Sequence, residues 1–260
     1  MMKRLPYLIP LLFLAVLAMP LRASSPIGAI VQESHYDSVR GIITFSVVNI
    51  SHKDITAFSL QLRVTYADGT GATSESMTDF LPSMISTFEQ GHPIASDQGN
   101  GAFAPGAIHN QEFPQSQGVS ATATVDMVTY ADGTADVLNE AAFKQLVLQR
   151  KARVLAMQKA DELLMKALAD PKVDHPSATV AAQVKGLASA LQNKNLGADD
   201  PADHEGLGFL EVSRDIANAP QSPTGRSAKE DNYLLALIKT HRNRVSLYLP
   251  HTELTKGAQP

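Results

Sequence analysis

The sequence contains no cysteine and no tryptophan, and aromatic residues make up only 6% of its 260 residues. Without cysteine the chain has no disulfide bond, no thiol nucleophile and no thiolate metal ligand. A lipid anchor attached through a modified cysteine is excluded for the same reason. The hydrophobic core must therefore hold the fold, and a chain of this length can build one large or two modest domains.

The sequence also lacks an uninterrupted apolar run of the about 20 residues that a transmembrane helix needs. The apolar segment Leu5–Met19 contains two prolines, follows Lys3 and Arg4, and leads into Pro20–Ala23. This order is typical of a secretory signal peptide, here residues 1–23 with cleavage after alanine. A retained membrane anchor is the alternative. We expect an exported chain, periplasmic or extracellular, without a membrane span after cleavage.

Positive charge is scarce as well. The formal net charge is −4, and removal of the leader takes away basic residues and no acidic ones, so the mature chain is more acidic still. An acidic chain is poorly suited to bind nucleic acid or anionic lipid. The charge therefore argues against both classes of partner.

One heptapeptide occurs twice: Val64–Thr70 and Val128–Thr134 both read Val-Thr-Tyr-Ala-Asp-Gly-Thr. Each copy is a β-favouring stretch that runs into Asp-Gly, a pair favoured in the tight turn of a β-hairpin. The flanking residues share only an alternation of apolar and polar positions. This favours a common local turn, with duplication of a domain as the alternative.

Most of the first half, from Ile27 to about Val137, alternates between apolar and polar residues. Such alternation is typical of strands with one face on a core and the other in water, and it is clearest in Phe58–Tyr66. The phase changes at Val47–Val48 and at Met127–Val128, which indicates a β-bulge or a strand end buried on both faces. Short strands separated by Gly, Asn and Asp are typical of a sandwich. The pattern predicts strands near residues 28–34, 41–50, 56–66, 70–77, 107–113, 120–130 and 134–137.

The second half has helical spacing. Between Asn139 and Ala169 there is no glycine or proline and the apolar residues form one stripe, which predicts a helix of about eight turns. Further helices are predicted over residues 177–197, 207–219 and 227–248. Ser227 and Glu230 have capping-box spacing at the start of the last one. The tail from Pro250 is expected to fray.

A series of short motifs follows in order between Gly41 and Phe113. Gly41 begins a predicted strand that leads to Asn49-Ile50-Ser51, the next strand ends in Asp68-Gly69, and Pro105-Gly106 precedes the strand that reaches Phe113. This order resembles the immunoglobulin-like modules of bacterial extracytoplasmic proteins known as FxLYD-type domains, although the F-x-L-Y-D string itself is absent. The resemblance implies an immunoglobulin-like sandwich in the bacterial envelope with a binding or assembly role.

The expected fold is therefore α+β. An N-terminal immunoglobulin-like antiparallel β-sandwich is predicted over residues 24–137, and a C-terminal region of three to four helices over residues 138–260. The helices are amphipathic and too poor in apolar residues to be stable individually, so they must pack on one another or on the sandwich. Because almost no linker separates the long helix from the last strand, we expect the two parts to be in contact.

The segment Phe80–Gly106 has no clear periodicity, and loops of this length are typically either functional or disordered. One interpretation is a binding loop displayed at one end of the sandwich. The other is an insertion whose apolar residues cover a sheet edge. The candidate binding residues are Met84, Phe88, His92 and Phe103.

Two clusters of polar residues are candidate sites. The first is a dense group of carboxylates and one imidazole, formed by Asp199, Asp200, Asp203, His204 and Glu205. Such side chains could hold a metal ion. Pro201 interrupts the group, however, and a solvated acidic linker explains its composition equally well. A basic group near the C-terminus could bind an anion or could simply complement the dipole of a helix end. It comprises Lys239, His241, Arg242, Arg244 and His251.

No catalytic motif accompanies these segments. The sequence has no His-Glu-x-x-His, no Gly-x-Ser-x-Gly and no glycine-rich phosphate loop with its lysine. We expect an exported, non-catalytic binding or assembly protein without a cofactor and with protein partners in the envelope. One alternative is a metal-dependent hydrolase with a site assembled around His204 and neighbouring carboxylates. Another is an assembly factor or surface-structure subunit that exchanges a β-strand.

Overall fold

The computed structural model of the protein describes residues 27–37, 39–89, 103–114, 118–192 and 201–257. The predicted signal peptide, residues 1–23, lies outside this range. The described residues form an α+β fold with eight strands in two sheets and five α-helices, which confirms the predicted class. Among them, no helix is long and apolar enough to cross a membrane.

The first sheet has three antiparallel strands in the order β1-β2-β5. They are β1 (Ala29–Asp37), β2 (Ile42–Asn49) and β5 (Ile108–Pro114). The second sheet has the order β4-β3-β6-β7-β8 and is antiparallel except for its last pair. Its strands are β3 (Ile55–Tyr66), β4 (Gly71–Asp79), β6 (Gly118–Tyr130), β7 (Thr134–Val137) and β8 (Thr255–Lys256). All seven strands predicted from the alternation are present.

The two sheets pack face to face. In the core between them, Val47 of β2 clusters with Phe58 and Leu60 of β3. Phe45 of β2 belongs to a second cluster with Leu62 of β3. Since a strand points successive side chains to opposite faces, the intervening residues of β3 face away from the first sheet. There Ala57 packs under the start of the long C-terminal helix. The second sheet is thus buried on both faces where α2 begins, whereas Gln61 and Arg63 further along β3 are exposed.

The predicted phase change at Met127–Val128 is a β-bulge. Ser59 pairs with Met127 and the next residue of β3 pairs with Val125, so Asp126 is the extra residue. Its carboxylate accepts hydrogen bonds from the Ser59 hydroxyl and, at 2.9 Å, from Nδ2 of Asn139. The bulge therefore ties the sheet to the start of the helical region.

The repeated heptapeptide forms the same turn twice. In each copy the aspartate Oδ1 accepts from the backbone N–H and the hydroxyl of the threonine two residues later, at 2.9 and 2.6 Å for Asp68 and at 3.0 and 2.6 Å for Asp132. Gly69 and Gly133 both have φ of 81°, a conformation that glycine adopts without steric cost. The first copy closes the β3–β4 hairpin and the second the β6–β7 hairpin, as predicted.

Four α-helices follow the last strand of the sandwich along the chain, and one more lies between β4 and β5. They are α1 (Leu81–Glu89), α2 (Glu140–Ala169), α3 (Pro176–Gln192), α4 (Pro201–Ala217) and α5 (Ala228–Tyr248). Helix α1 occupies part of the segment that was predicted to be a loop. Helix α4 begins at Pro201 and not at Leu207, because proline is compatible with the first turn of a helix. The tail was expected to fray from Pro250, but in its described part Thr255 and Lys256 form β8, parallel to β7.

Polar side chains fix the helix ends. Asn139 caps α2 by accepting from Ala141 N and Ala142 N at 3.1 Å. At the other end of α2, Arg226 donates to the carbonyl oxygens of Leu168 and Asp170 at 2.6 and 3.0 Å. These bonds satisfy helix-terminal groups that have no partner inside the helix, and those of Arg226 join the end of α2 to the segment before α5.

The predicted capping box at α5 is formed on one side only. The Ser227 hydroxyl accepts from Glu230 N at 3.2 Å. The Glu230 carboxylate turns instead to Ser177, accepting from its backbone N–H at 2.9 Å and its hydroxyl at 2.5 Å. An anion at the N-terminus of α3 is favoured by the helix dipole, so one carboxylate joins the starts of two helices.

Two helical glycines allow a matched test of the helix packing. A Cβ at Gly208 of α4 would lie 3.0 Å from the carbonyl oxygen of Ala152 in α2, whereas a Cβ at Gly186 of α3 would meet nothing within 4 Å. We expect Gly186→Ala to raise the free energy of unfolding by about 0.5–1 kcal/mol. Gly208→Ala should lower it by about 1–2 kcal/mol, because overpacking outweighs the gain in helix propensity. Urea denaturation measures both, and the same sign for the two variants would contradict close packing of α2 on α4.

Candidate functional site

A recess of about 230 Å³ lies among α1, α2, α4 and α5. Its apolar wall includes Ile85 of α1, Met157 of α2 and Val212 of α4, all buried in the helical core. Its polar wall is formed by Arg153, Glu211, Asp215, His241, Arg244 and Tyr248. A concave site with apolar walls and a few convergent polar groups is typical of a small-molecule pocket.

His241 is the most buried polar residue of the recess, with 0% of its surface exposed. Its Nδ1 lies 2.7 Å from Oδ1 of Asp161 on α2. An ionised carboxylate only accepts hydrogen bonds, so Nδ1 carries the proton and donates. The other ring nitrogen, Nε2, is buried and has no partner among the described residues. Buried polar atoms normally have one, but because no part of His241 is exposed, a ligand could reach Nε2 only after the lining of the recess moved.

Two arginines of the recess differ in how tightly they are held. Arg244 of α5 donates from Nε and Nη2 to both carboxylate oxygens of Glu89, each at 2.8 Å, and from Nη1 to Asp215 at 3.4 Å. Arg153 of α2 donates to Glu211 at 3.3 Å and to Asp79 at 3.4 Å. Distances of 3.3–3.4 Å lie beyond the usual range for such bonds, so Arg153 is the more loosely bound cation.

Tyr248 closes the inner end of the recess and is 4% exposed. Burial raises the pKa of its hydroxyl to about 12. The hydroxyl is consequently protonated and uncharged at neutral pH. It offers a ligand a hydrogen bond and no charge.

Beneath the recess, Asp79 at the end of β4 joins the sandwich to α2. Its two carboxylate oxygens accept from Nη2 of Arg150 at 2.8 Å and from Arg153 at 3.4 Å. Arg150 is fully buried, and its Nη2 also reaches the carbonyl oxygen of Thr56 in β3 at 3.4 Å. The sheet thereby determines where α2 places Arg153.

His251 makes the same junction sensitive to acid. Burial, and secondarily the nearby Arg150 charge, lower the pKa of His251 from 6.5 to about 4. Between pH 6.5 and 4 the unfolded chain therefore binds a proton that the folded protein does not, and stability falls as the pH falls through this window. We expect His251→Gln to flatten that dependence. Urea denaturation at a series of pH values measures it, and a variant slope equal to that of the wild type would contradict this assignment.

The structure buries the described residues of the predicted binding loop. Met84 on α1 and Phe103 are 5% and 4% exposed, so neither side chain is displayed. Phe103 packs against Phe58 and Phe80 with ring centroids 5.9 and 5.7 Å away, and its backbone pairs with Ile55. These residues contribute to the core, because helix formation and strand pairing satisfy the backbone there. The Phe88 side chain and His92 lie outside the described residues.

The predicted metal candidates fall at the start of α4. Asp203, His204 and Glu205 are consecutive helical residues, so their side chains point in different directions; Asp199 and Asp200 lie outside the described residues. His204 is 5% exposed, and neither ring nitrogen has a partner among the described side chains and backbone groups. Within the part of the chain that the structure describes, no group of three or more His, Asp or Glu could hold a metal ion.

The predicted basic group is divided by the structure. His241 and Arg244 line the recess, whereas Lys239 and Arg242 are exposed outside it. His251 is buried next to the Arg150 junction instead. Sequence reasoning missed Asp161, the partner of His241. The available signal was its position on the buried stripe of α2, where a carboxylate requires a partner.

No family model matches this chain, and no curated protein matches it. A crystal structure of a hypothetical protein from Peptoclostridium difficile 630 is similar to 45% of this chain and 88% of its own length, with 17% sequence identity and a TM-score of 0.27. A TM-score of this size carries no conclusion about fold or function.

Proposed function

We propose that the protein is an exported, non-catalytic binding protein that holds a small ligand in the recess among α1, α2, α4 and α5. The observation that carries this proposal is the concave recess itself, whose lining comes from four helices and includes His241, a buried residue whose Nε2 has no partner among the described residues. The recess also has the apolar walls and convergent polar groups of a ligand pocket. Export rests on the predicted signal peptide, residues 1–23.

The proposal includes an immunoglobulin-like scaffold. In that fold strands A, B and E share one sheet, strands C, F and G the other, and a C′ strand can join the C strand. Assigning β1 to A, β2 to B, β3 to C, β4 to C′, β5 to E, β6 to F and β7 to G is consistent with the sheet orders β1-β2-β5 and β4-β3-β6-β7. Such a scaffold would hold the helices rigidly and leave its outer surface for a protein partner in the envelope.

Ser86 and Ser83 of α1 provide a matched pair of variants for testing the recess. Both side chains are exposed, but only Ser86 lines the recess. A tryptophan at position 86 would occupy the mouth of the recess without entering the core, and a tryptophan at position 83 would leave the mouth open. We expect Ser86→Trp to abolish ligand retention and Ser83→Trp to preserve it.

The experiment incubates mature protein with a low-molecular-mass extract of the native envelope, removes unbound compounds by gel filtration and identifies retained compounds by mass spectrometry. We expect at least one compound to be retained by the wild type and by Ser83→Trp, and lost with Ser86→Trp. Circular dichroism confirms that all three proteins are folded. Retention of the same compounds by all three, or by none, would contradict ligand binding in the recess. Turnover of a retained compound would contradict the non-catalytic role.

A further inference from the structure

The residues that line the recess carry charges of both signs. Arg153 and Arg244 contribute two cations, and Glu211 and Asp215 contribute two carboxylates. A simple anion would meet two carboxylates there, and a simple cation would meet two guanidinium groups; like charges at close range are unfavourable. A ligand that carries one charge of each sign matches both sets.

The group available to a ligand carboxylate is Arg153. The guanidinium of Arg153 makes only long ion pairs, at 3.3 and 3.4 Å, and an arginine can receive a carboxylate through two parallel hydrogen bonds. Arg244 is less available, because Glu89 holds it at 2.8 Å through two nitrogens.

The group available to a ligand ammonium is Asp215. Its carboxylate lies at the edge of the recess, and its bond to Arg244 Nη1 is long, at 3.4 Å. An ammonium group is a compact donor of three hydrogen bonds and can approach such a carboxylate closely. The two ends of a zwitterion would thus each meet a loosely held partner.

The remaining walls and the volume limit the rest of the ligand. Ile85, Met157 and Val212 present apolar surface to the recess. A volume of about 230 Å³ lies below the about 300–1,000 Å³ of pockets for drug-sized ligands, which suits one amino acid and not an extended peptide. An aliphatic side chain would replace water at these walls, and this contributes favourably to binding.

We propose that the recess binds a free, zwitterionic α-amino acid with an aliphatic side chain. Its carboxylate contacts Arg153, its ammonium group contacts Asp215, and its side chain lies against Ile85, Met157 and Val212. This inference rests on the proposed function and names the class of ligand for the same site.

Calorimetric titration of the mature protein with leucine tests the inference, with three analogues as controls. Leucinamide lacks the carboxylate, N-acetylleucine lacks the ammonium group, and aspartate replaces the aliphatic side chain with a charged one. We expect saturable binding of leucine and binding at least about tenfold weaker for each analogue, since each loses a charged hydrogen bond or a hydrophobic contact. N-acetylleucine or leucinamide binding as tightly as leucine would overturn the inference.

Variants locate the carboxylate partner. Arg153→Gln should weaken leucine binding about 10- to 100-fold, whereas its affinity for leucinamide, which lacks the carboxylate, should change little. Arg153→Lys, which keeps the charge, should recover part of the loss. Arg242→Gln is the control, because Arg242 is exposed on α5 outside the recess. Equal losses for leucine and leucinamide in Arg153→Gln would overturn the assignment of Arg153.

The outcomes separate this inference from the proposed function. If the wild type retains envelope compounds that Ser86→Trp loses, and none of them is an amino acid, the inference fails and the binding function stands. If no compound is retained and leucine does not bind, both fail. Leucine that binds to the wild type and to Ser83→Trp, but not to Ser86→Trp, supports both.

Discussion

Asp79→Ala is expected to lower the free energy of unfolding by about 3–5 kcal/mol, the effect of leaving a buried charge without its partner. Arg150 is 0% exposed and lies 2.8 Å from the carboxylate that the variant removes. In the variant the guanidinium would keep only long contacts, at 3.4 Å, to the carbonyl and hydroxyl oxygens of Thr56. The charge of Arg150 can be solvated only if α2 moves away from the sheet. The variant therefore loses stability at the junction between the sandwich and α2.

A double-mutant cycle separates the ion pair from other effects. Arg150→Met replaces the buried cation with an apolar side chain of similar length, and Asp79→Ala/Arg150→Met should recover most of the stability lost in Asp79→Ala. Asp174→Ala is the control, because Asp174 is exposed in the turn before α3, and it should change stability by less than about 0.5 kcal/mol. Urea denaturation measures the wild type and all four variants. A loss below about 1 kcal/mol in Asp79→Ala would contradict a buried ion pair at this junction.

Phe103→Ala is expected to lower the free energy of unfolding by about 3–5 kcal/mol, the usual effect of removing a buried phenylalanine ring. The ring of Phe103 packs against those of Phe58, Phe80 and His109, with the His109 centroid 6.1 Å away. Removing it would leave a cavity in the core between the sheets. The backbone pairing with Ile55, at 2.9 and 3.2 Å, keeps the segment in place and prevents collapse into the cavity.

The matched control for Phe103→Ala is Ile108→Ala on the neighbouring strand β5. Ile108 is 60% exposed, so its truncation should change stability by less than about 0.5 kcal/mol. Thermal denaturation followed by circular dichroism measures both variants. If Phe103→Ala were as stable as Ile108→Ala, the ring would not belong to the core, and its role as a binding-loop residue would again be open.

Alternation of apolar and polar residues was sufficient to predict the strands. It predicted all seven strands of the sandwich and the phase change at Met127–Val128, because a sheet with one buried face imposes that period on the chain. The short strand β8 could not be predicted. Thr255 and Lys256 have no β pattern of their own, and they pair with β7 only because α5 returns the chain to that edge.

Helix α1 was missed although its signal is present. Leu81, Met84, Ile85 and Phe88 have the spacing of one helical face, and Oδ1 of Asp79 accepts from Leu81 N at 3.1 Å before the first turn. The glycines and prolines of the rest of the segment concealed this short helix. A nine-residue helix is also marginal without tertiary packing, which here comes from the helical core.

The recess could not be predicted, because its polar groups come from four helices whose packing the sequence does not specify. One indication was available. Met157, Asp161 and Leu164 follow one another on the buried stripe of α2, as Ile238, His241 and Val245 do on α5. A charged or titratable residue on such a stripe is rarely tolerated without a partner. The pairing of Asp161 with His241 follows from that rule only after the two helices are placed side by side.

The most direct test of ligand binding in the recess is the ¹⁵N NMR signal of Nε2 of His241. The signal is observed in protein with labelled histidine and is assigned by its absence from His241→Gln. The low-molecular-mass envelope extract should shift it in the wild type and in Ser83→Trp, and leave it unchanged in Ser86→Trp. A signal that stays unchanged in the wild type at saturating extract would contradict the proposed binding site.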